Sequence, residues 1–240
     1  MSVKRKLKDV IRPAYKQAKD FWWSTKQLKK TKKSFKGKIW LVIGDSITEH
    51  NFRAQKNYDQ YISEFLGVKV VNVGASGTGY MNDFQGVESW IKRLDSFPND
   101  VDFITVMGAL NDRTHPVGDF YDTDVSTLYG CLHSFYNKLI CKYPNTPIGV
   151  ITSTPREYCW GENGEFVEYV NAVIRVAQHY SLPILDLYRC SGLHPWNETN
   201  CKEYFSCKQA PNGDGIHPNV KGQKIIAYKV CEFITQHLQA

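Results

Sequence analysis

A serine lies where an apolar, strand-like run ends: residues 41–46 read LVIGDS and close on Ser46. A serine hydroxyl becomes a nucleophile only when a neighbouring general base removes its proton. On propensity alone, a serine that follows Gly-Asp and opens a helix is a turn or capping residue. The choice between the two interpretations depends on whether the rest of the chain supplies a base.

Among the seven histidines, His217 has the local surroundings expected of that base. Asp214 precedes it by three residues and Pro218 follows it, in the stretch DGIHP. An aspartate at this spacing in a tight loop can accept a hydrogen bond from one ring nitrogen, which leaves the other nitrogen as the base. His194 also precedes a proline but has no carboxylate at that distance. The alternative is that Asp214 only forms the turn and His217 is an ordinary loop residue.

Acyl transfer also needs hydrogen-bond donors aimed at the oxygen on which negative charge develops. Ser46 and Gly77 offer backbone N–H groups, since a glycine lets the chain approach closely, and Asn111 offers a side-chain amide. Gly77 lies in GASGTG (74–79) and Asn111 in GALNDR (108–113). Alternatively, the glycines only form a tight turn and Asn111 only begins a loop. GASGTG lacks the spacing and the lysine of a phosphate-binding loop.

Five apolar runs of strand length alternate with segments of helical periodicity, and these elements would position the site. We expect strands at 39–43, 68–73, 101–107, 148–151 and 182–187. We expect helices at 57–66, 84–94, 124–142, 165–180 and 219–238. This alternation favours right-handed βαβ units and one parallel sheet with helices on both faces. Ligands bind beyond the carboxyl ends of the strands in such sheets, so the polar loops should converge there.

Length and composition indicate one globular body. The chain has 240 residues, 42% of them hydrophobic and 13% aromatic. It contains no apolar run of about 18 residues, and no apolar signal-peptide segment follows Met1. We therefore expect a cytoplasmic location by default, with association with a virion or cell surface as the alternative. The seven cysteines are expected to be mostly reduced, although Cys201 and Cys207 flank a short segment and could pair.

Charge divides the chain into a basic N-terminal arm, residues 1–37, and a mildly acidic body, residues 38–240. Residues 1–38 hold 14 Lys and Arg against two Asp, a net charge of +12, so the remaining residues carry −6 of the total of +6. Apolar residues between Leu7 and Leu28 recur at three- and four-residue steps, which predicts an amphipathic helix with a lysine-rich face.

Three uses fit such an arm: packing on the body, pairing with another chain, or lying on an anionic membrane or cell-wall polymer. Phe21-Trp22-Trp23 amid lysines favours the anionic surface. No nucleic-acid partner is expected, because the acidic body would repel it and no recognised binding motif accompanies the charge.

The candidate residues, in their order along the chain, resemble the four blocks of the SGNH/GDSL hydrolase superfamily. The matching residues, from about Lys38 to the C-terminus, are Gly44-Asp45-Ser46, Gly77, Asn111 and Asp214-x-x-His217. The resemblance implies a three-layer α/β/α fold with a five-stranded parallel sheet. It also implies that Ser46 is the nucleophile, that Asp214 and His217 complete a triad, and that Gly77 and Asn111 complete the oxyanion hole with Ser46. One departure is Ala109, which stands where the third block usually has glycine.

The resemblance implies a serine esterase that works through an acyl-enzyme, with no metal and no diffusible cofactor. Residues 186–198 and 210–219 are also similar to esterase-like proteins of Gram-positive bacteria and their phages, which favours a small acyl group on a carbohydrate as the substrate. A lipase or thioesterase is the alternative among enzymes. A catalytically silent glycan-binding virion or cell-wall module is the alternative outside them.

Several loop residues could line the cleft and bind substrate: Arg156, Trp196, Trp160 and Tyr80. Stacking of Trp196 on a sugar ring would suit a carbohydrate substrate. The alternative for Trp196 is an aromatic side chain that anchors a long loop.

Overall fold

A computed structural model describes residues 25–157 and 166–239 of the chain. Five strands form a single parallel sheet in the order β2-β1-β3-β4-β5. They are β1 Ile39–Gly44, β2 Lys69–Asn72, β3 Phe103–Gly108, β4 Ile148–Thr152 and β5 Ile184–Leu185. Each strand overlaps an apolar run that predicts one, so the expected parallel sheet is confirmed.

Helices cover both faces of this sheet. They are α1 Thr25–Phe35, α2 Tyr58–Leu66, α3 Trp90–Arg93, α4 Leu128–Lys142, α5 Val167–His179, α6 Leu187–Cys190, α7 Glu198–Phe205 and α8 Val220–His237. Short 3₁₀ turns follow α3, at Leu94–Ser96, and β3, at Leu110–Thr114. The helix α7 was not expected from the sequence.

Alternate side chains of each central strand enter two separate apolar cores. In β1, Leu41 and Ile43 face the core that contains α4 and α5, while Trp40 and Val42 face the core that contains α1, α2 and α8. Burial on both faces explains why the strands read as continuous apolar runs. The expected three-layer α/β/α fold is confirmed.

The prediction of a helix over 84–94 is wrong for the first half of that range. Phe84 and Val87 exchange two backbone hydrogen bonds of 2.9 Å, and the two residues between them, Gln85 and Gly86, have φ of 48° and 81°. Positive φ at both central positions is the conformation of a type I′ turn, which joins antiparallel segments and cannot continue a helix. Only residues 90–93 are α-helical in this stretch.

The helix α1, at the end of the basic arm, packs on the body. Phe35 is 1% exposed and meets the ring of Phe103 edge to face, with ring centroids 5.6 Å apart. The ammonium of Lys32 lies 4.2 Å from the centre of the Phe65 ring. Residues 1–24, including Phe21-Trp22-Trp23, lie outside the described residues. The helix expected there and the boundary at residue 37 stay predictions.

Two further expectations bear on the environment of the chain. Cys201 and Cys207 are both free thiols, so this pair does not form a disulfide in the structure. Among the helices of residues 25–157 and 166–239, none combines the length and the apolar character that a membrane span requires.

Candidate active site

Ser46 lies at the carboxyl edge of the sheet, two residues after β1 ends at Gly44. Asp45 builds the turn that holds it there. The backbone oxygen of Asp45 accepts the N–H of Thr48 at 3.1 Å, and its side chain accepts the N–H of Ile47 at 2.9 Å. These bonds place the serine hydroxyl at the lip of the sheet and at the start of a turn, as expected of a nucleophile or of a cap.

Ser46, His217 and Asp214 form one continuous chain of hydrogen bonds. Ser46 Oγ lies 2.9 Å from His217 Nε2, and His217 Nδ1 lies 2.6 Å from Asp214 Oδ2. A carboxylate only accepts, so the ring proton belongs on Nδ1, and Nε2 is left to accept the proton of the serine hydroxyl. The histidine side chain is 17% exposed. The structure therefore brings the three predicted triad residues together in the order that nucleophilic catalysis needs.

Asp214 is held as a carboxylate by the loop that carries it. Its second oxygen, Oδ1, accepts the backbone N–H groups of Ile216 at 2.9 Å and His217 at 2.7 Å. Burial alone would raise the pKa of Asp214, but hydrogen bonds from the His217 ring and from these two N–H groups lower it below its ordinary value. An ionised Asp214 orients the imidazole and stabilises the imidazolium that forms when the base takes a proton.

Asn111 lies in the 3₁₀ turn after β3, with its amide held from both ends. Nδ2 donates to the backbone oxygen of Thr78 at 3.0 Å and lies 3.5 Å from Asp45 Oδ2, while Oδ1 accepts from Arg156 Nη2 at 3.3 Å. Because a guanidinium only donates and a carbonyl only accepts, these neighbours require the same orientation of the amide. The donor end of Asn111 therefore faces the aspartate that adjoins Ser46.

Gly77 lies in the loop after β2 at a position that only glycine fits. Its φ is 74°, and a Cβ built on it would come within 2.3 Å of the Phe84 ring. Its backbone oxygen accepts from Asn82 Nδ2 at 2.7 Å, which fixes the peptide that follows. The oxyanion roles of Gly77 and Asn111 stay predictions.

Asp112 is a site residue that the sequence analysis missed. Its fully buried carboxylate accepts the backbone N–H groups of residues 80–82, at distances of 2.9 to 3.1 Å. Burial raises the pKa of Asp112 to about 6, although these hydrogen bonds act to lower it. Asp112 thus joins the turn that carries Asn111 to the loop that carries Gly77. Its place directly after Asn111 in GALNDR was the signal that could have identified it.

A second buried carboxylate, Asp45, lies directly beside the nucleophile. Asp45 is 2% exposed, and burial raises its pKa. The N–H of Ile47 and the positive charge of Arg156 act in the opposite direction. Arg156 itself is 5% exposed, and its guanidinium donates to Asn111 Oδ1. Its predicted role in substrate binding stays a prediction.

The aromatic residues proposed for the cleft differ in how exposed they are to solvent. Trp196 is 38% exposed and meets the ring of His194 edge to face, with centroids 5.1 Å apart. Tyr80 is fully buried, and its hydroxyl lies 2.7 Å from that of Tyr136, so the expectation that it lines the cleft is wrong. Trp160 lies outside the described residues.

Within the part of the chain that the structure describes, no three His, Cys, Asp or Glu side chains are grouped so that they could hold a metal ion.

Comparison with known proteins places this geometry in a family. Residues 42–225 match the model of the GDSL-like lipase/acylhydrolase family. A similar solved structure comes from a Lactobacillus plantarum protein, with a TM-score of 0.73 and 27% identity over 84% of this chain and 98% of that one. A search of curated proteins finds no significant match.

Two more distant structures share the fold. A possible lipase from Chitinophaga pinensis DSM 2588 has a TM-score of 0.66 and 23% identity over 83% of this chain and 98% of that one. An acetylxylan esterase from Geobacillus stearothermophilus has a TM-score of 0.58 and 20% identity over 84% of this chain and 96% of that one.

Proposed function

The chain belongs to the GDSL-like lipase/acylhydrolase family and is a hydrolase that acts on ester bonds, and from that premise we propose that it removes small acyl groups, acetyl first, from a carbohydrate. The observation that carries the chemistry is the hydrogen-bonded chain from Ser46 through His217 to Asp214. The carbohydrate is supported by the fold shared with an acetylxylan esterase and by the half-exposed ring of Trp196.

The reaction begins at Ser46. Its Oγ attacks the ester carbonyl carbon while His217 Nε2, 2.9 Å away, accepts the hydroxyl proton. The imidazolium then donates that proton to the oxygen of the leaving alcohol, and an acyl-enzyme remains on Ser46. Water, deprotonated by the same nitrogen, then attacks the acyl-enzyme, and the carboxylic acid is released as Ser46 Oγ leaves and takes that proton back from His217.

The developing oxyanion needs donors that are in place before the reaction. We assign this role to the backbone N–H groups of Ser46 and Gly77 and to the amide of Asn111. The orientation of Asn111 by Arg156 and Thr78 supports the assignment, because it directs the donor end of the amide toward Asp45, the residue before the nucleophile.

The nucleophile is tested with a fluorophosphonate probe, which labels activated serines. We expect one adduct, on Ser46, seen in the intact mass and by peptide mapping, and no adduct in Ser46→Ala. Triad members act as a unit, so His217→Ala should also lose most of the labelling and most of the turnover. Labelling that persists in Ser46→Ala would disprove the assignment, and His194→Ala serves as the matched His-Pro control.

The substrate is tested with nitrophenyl esters of increasing chain length beside acetylated xylan. We expect the highest kcat/KM on the acetyl ester and release of acetate from the polymer, both absent in Ser46→Ala. A preference for octanoyl or longer esters, with no acetate released from the glycan, would contradict the carbohydrate proposal and favour a lipase. No labelling and no turnover on any ester would favour a silent glycan-binding module.

A further inference from the structure

A groove of about 370 Å³ lies outside the candidate active site, between the loop that precedes α4 and the helices α4 and α5. Rings and small polar side chains line it together, among them Phe120, Tyr121, His133, Ser134, Asn137 and His179. None of these residues takes part in the hydrogen-bond chain of the triad, and the proposed esterase chemistry does not use them.

Phe120 is the centre of a preformed set of rings in this groove. The rings of Tyr121, His133 and His179 meet it edge to face, with centroids 5.0, 5.2 and 5.7 Å away. The guanidinium of Arg175 lies over it at 4.2 Å. His133 Nε2 donates to the backbone oxygen of Phe120 at 2.8 Å, which ties the loop to α4. The rings of Phe120, His133 and His179 are therefore packed together before any ligand arrives, and Tyr121 lies exposed beside them.

The rim of the groove is open and has unused hydrogen-bonding groups. Tyr121 is 85% exposed, although its neighbour Phe120 anchors its backbone. Among the described residues, the polar side-chain atoms of Tyr121, Ser134, Asn137 and His179 have no hydrogen-bond partner. An exposed ring beside free hydroxyl, amide and imidazole groups has the composition of a ligand site with an apolar platform and a few orienting polar groups.

We propose that this groove binds a neutral saccharide chain, as an accessory site that holds the polymeric substrate. The face of an aromatic ring packs against the C–H face of a sugar, and hydroxyl, amide and imidazole groups pair with sugar hydroxyls. A neutral ligand fits because the carboxylate of Asp122 already accepts the N–H of Asp119 at 2.9 Å and the Arg175 guanidinium is stacked on Phe120. This inference rests on the proposed carbohydrate substrate.

The chain between Asn111 and Phe120 sets an upper limit on the distance between the groove and the active site. Phe120 follows Asn111 by nine residues, so their Cα atoms are at most about 32 Å apart. The Tyr169 hydroxyl of α5 lies 3.1 Å from the backbone oxygen of Arg113 and 3.0 Å from that of His115, and a hydrogen bond to either holds the start of the loop against α5. A polymer long enough to span this distance can occupy the groove while its acylated units reach Ser46, which raises their local concentration.

The test measures binding in a chain that cannot turn over substrate. Tyr121→Ala and Asn137→Ala are each combined with Ser46→Ala, and binding to soluble xylan and to chitohexaose is measured by affinity electrophoresis and titration. Loss of one stacked ring should weaken binding about threefold to tenfold. The matched control is Tyr228→Ala, an exposed tyrosine on α8 on the other side of the sheet, which should leave binding unchanged.

In the active chain, Tyr121→Ala should keep the turnover of nitrophenyl acetate and lose acetate release from acetylated xylan at low polymer concentration. Equal binding by the parent and Tyr121→Ala, or no binding of either saccharide, would overturn the inference whatever esters the enzyme hydrolyses. A third outcome is saccharide binding that depends on Tyr121 in an enzyme that releases no acyl group from any glycan. That outcome would overturn the proposed function and support the groove as a saccharide-binding site.

Discussion

The guanidinium of Arg156, together with Thr78, sets which end of the Asn111 amide faces Asp45, the residue before the nucleophile. An asparagine amide has nearly the same shape after a flip that exchanges donor and acceptor. Arg156 Nη2, 3.3 Å from Asn111 Oδ1, stabilises only one of the two orientations. We propose that Arg156 is a positioning residue, acting on catalysis through Asn111.

This role predicts how two substitutions combine. Arg156→Met should lower kcat about tenfold with little change in KM, because a misoriented amide weakens only the transition state. The double variant Asn111→Ala, Arg156→Met should be no slower than Asn111→Ala alone, since both changes remove the same interaction. Effects that multiply would instead show that Arg156 acts without Asn111, for example by contacting the substrate directly.

Substitution of Asn111 itself should lower kcat more than substitution of Arg156. If its amide binds the developing oxyanion, Asn111→Ala should lower kcat by about 10²–10³ and leave KM nearly unchanged. Steady-state kinetics on nitrophenyl acetate measure both constants. A loss confined to KM would make Asn111 a residue that binds the ground state of the substrate.

Ala109 occupies a backbone conformation that favours glycine. Its φ is 141° and its ψ is −30°, just before the 3₁₀ turn that carries Asn111. Strain of this kind is on the order of 1–3 kcal/mol for a residue with a Cβ, while the lost burial of one methyl group is about 0.8 kcal/mol. Ala109→Gly should therefore raise the free energy of unfolding by about 1 kcal/mol.

Urea unfolding measures this change, and Ala54→Gly is the matched control. Ala54 is likewise buried, at 7% exposed, but it is not among the residues with positive φ. Its replacement should lower stability. If Ala109→Gly lowers stability as much as Ala54→Gly does, packing of the methyl group outweighs the strain.

At the scale of elements, Asp112 couples the turn after β3 to the loop after β2. The carboxylate accepts three backbone N–H groups of residues 80–82, so the two segments that bear Asn111 and Gly77 cannot move independently. This contact and the bond from the Asn111 amide to the Thr78 backbone oxygen together set the separation of the two segments.

The raised pKa of Asp112 predicts a pH dependence of stability. The pKa is near 3.9 in the unfolded chain and about 6 in the folded one. Between these values the folded chain binds more protons, so the contribution of Asp112 to stability is greatest below pH 4 and is lost as the pH rises through 6. The loss is on the order of 3 kcal/mol, since each pKa unit corresponds to about 1.4 kcal/mol.

Asp112→Asn removes the titrating group and isolates this contribution. The difference in unfolding free energy, parent minus variant, should fall by on the order of 3 kcal/mol between pH 4 and pH 7. Urea titrations at a series of pH values measure it. Parallel stability curves for the two proteins would show that the pKa of Asp112 is not raised in the folded state.

At the scale of the whole molecule, the basic arm joins the body through α1. Phe35 fills the core between α1 and the sheet, with its ring against Phe103. Removal of a buried phenylalanine side chain costs about 3–5 kcal/mol. A deletion of residues 1–36 therefore removes part of the core as well as the charge, whereas a deletion of residues 1–24 keeps α1.

We propose that the arm holds the enzyme on an anionic surface and takes no part in the chemistry. Deletion of residues 1–24 should leave the turnover of nitrophenyl acetate unchanged and abolish sedimentation with phosphatidylserine liposomes. For the full chain, that sedimentation should weaken as salt is added, because the attraction between the lysines and the lipid is screened. A collapse of turnover in the folded, truncated protein would make the arm part of the active architecture.

The sequence by itself predicted the sheet and the three residues that form the hydrogen-bonded chain at its edge. Strands buried on both faces leave continuous apolar runs, which is a local pattern that a single chain displays. Asp214 and His217 are three residues apart, so their contact is also local, and Ser46 is marked by the end of a strand whose carboxyl edge must carry the site.

Only the tertiary structure decided how the rest of the site is held. Asp112 meets residues 80–82 across about thirty positions of chain, and Arg156 meets Asn111 across 45. No rule of sequence spacing predicts such pairs, because their contact depends on the order of the strands in the sheet. The prediction of a helix over 84–94 was wrong at residues 84–87 for a related reason. The apolar residues there fit a helical period, but the positive φ of Gln85 and Gly86 is a property of the folded backbone. The periodicity of a sequence indicates which residues are buried, whereas the packing of the whole chain determines the backbone conformation in which they are buried.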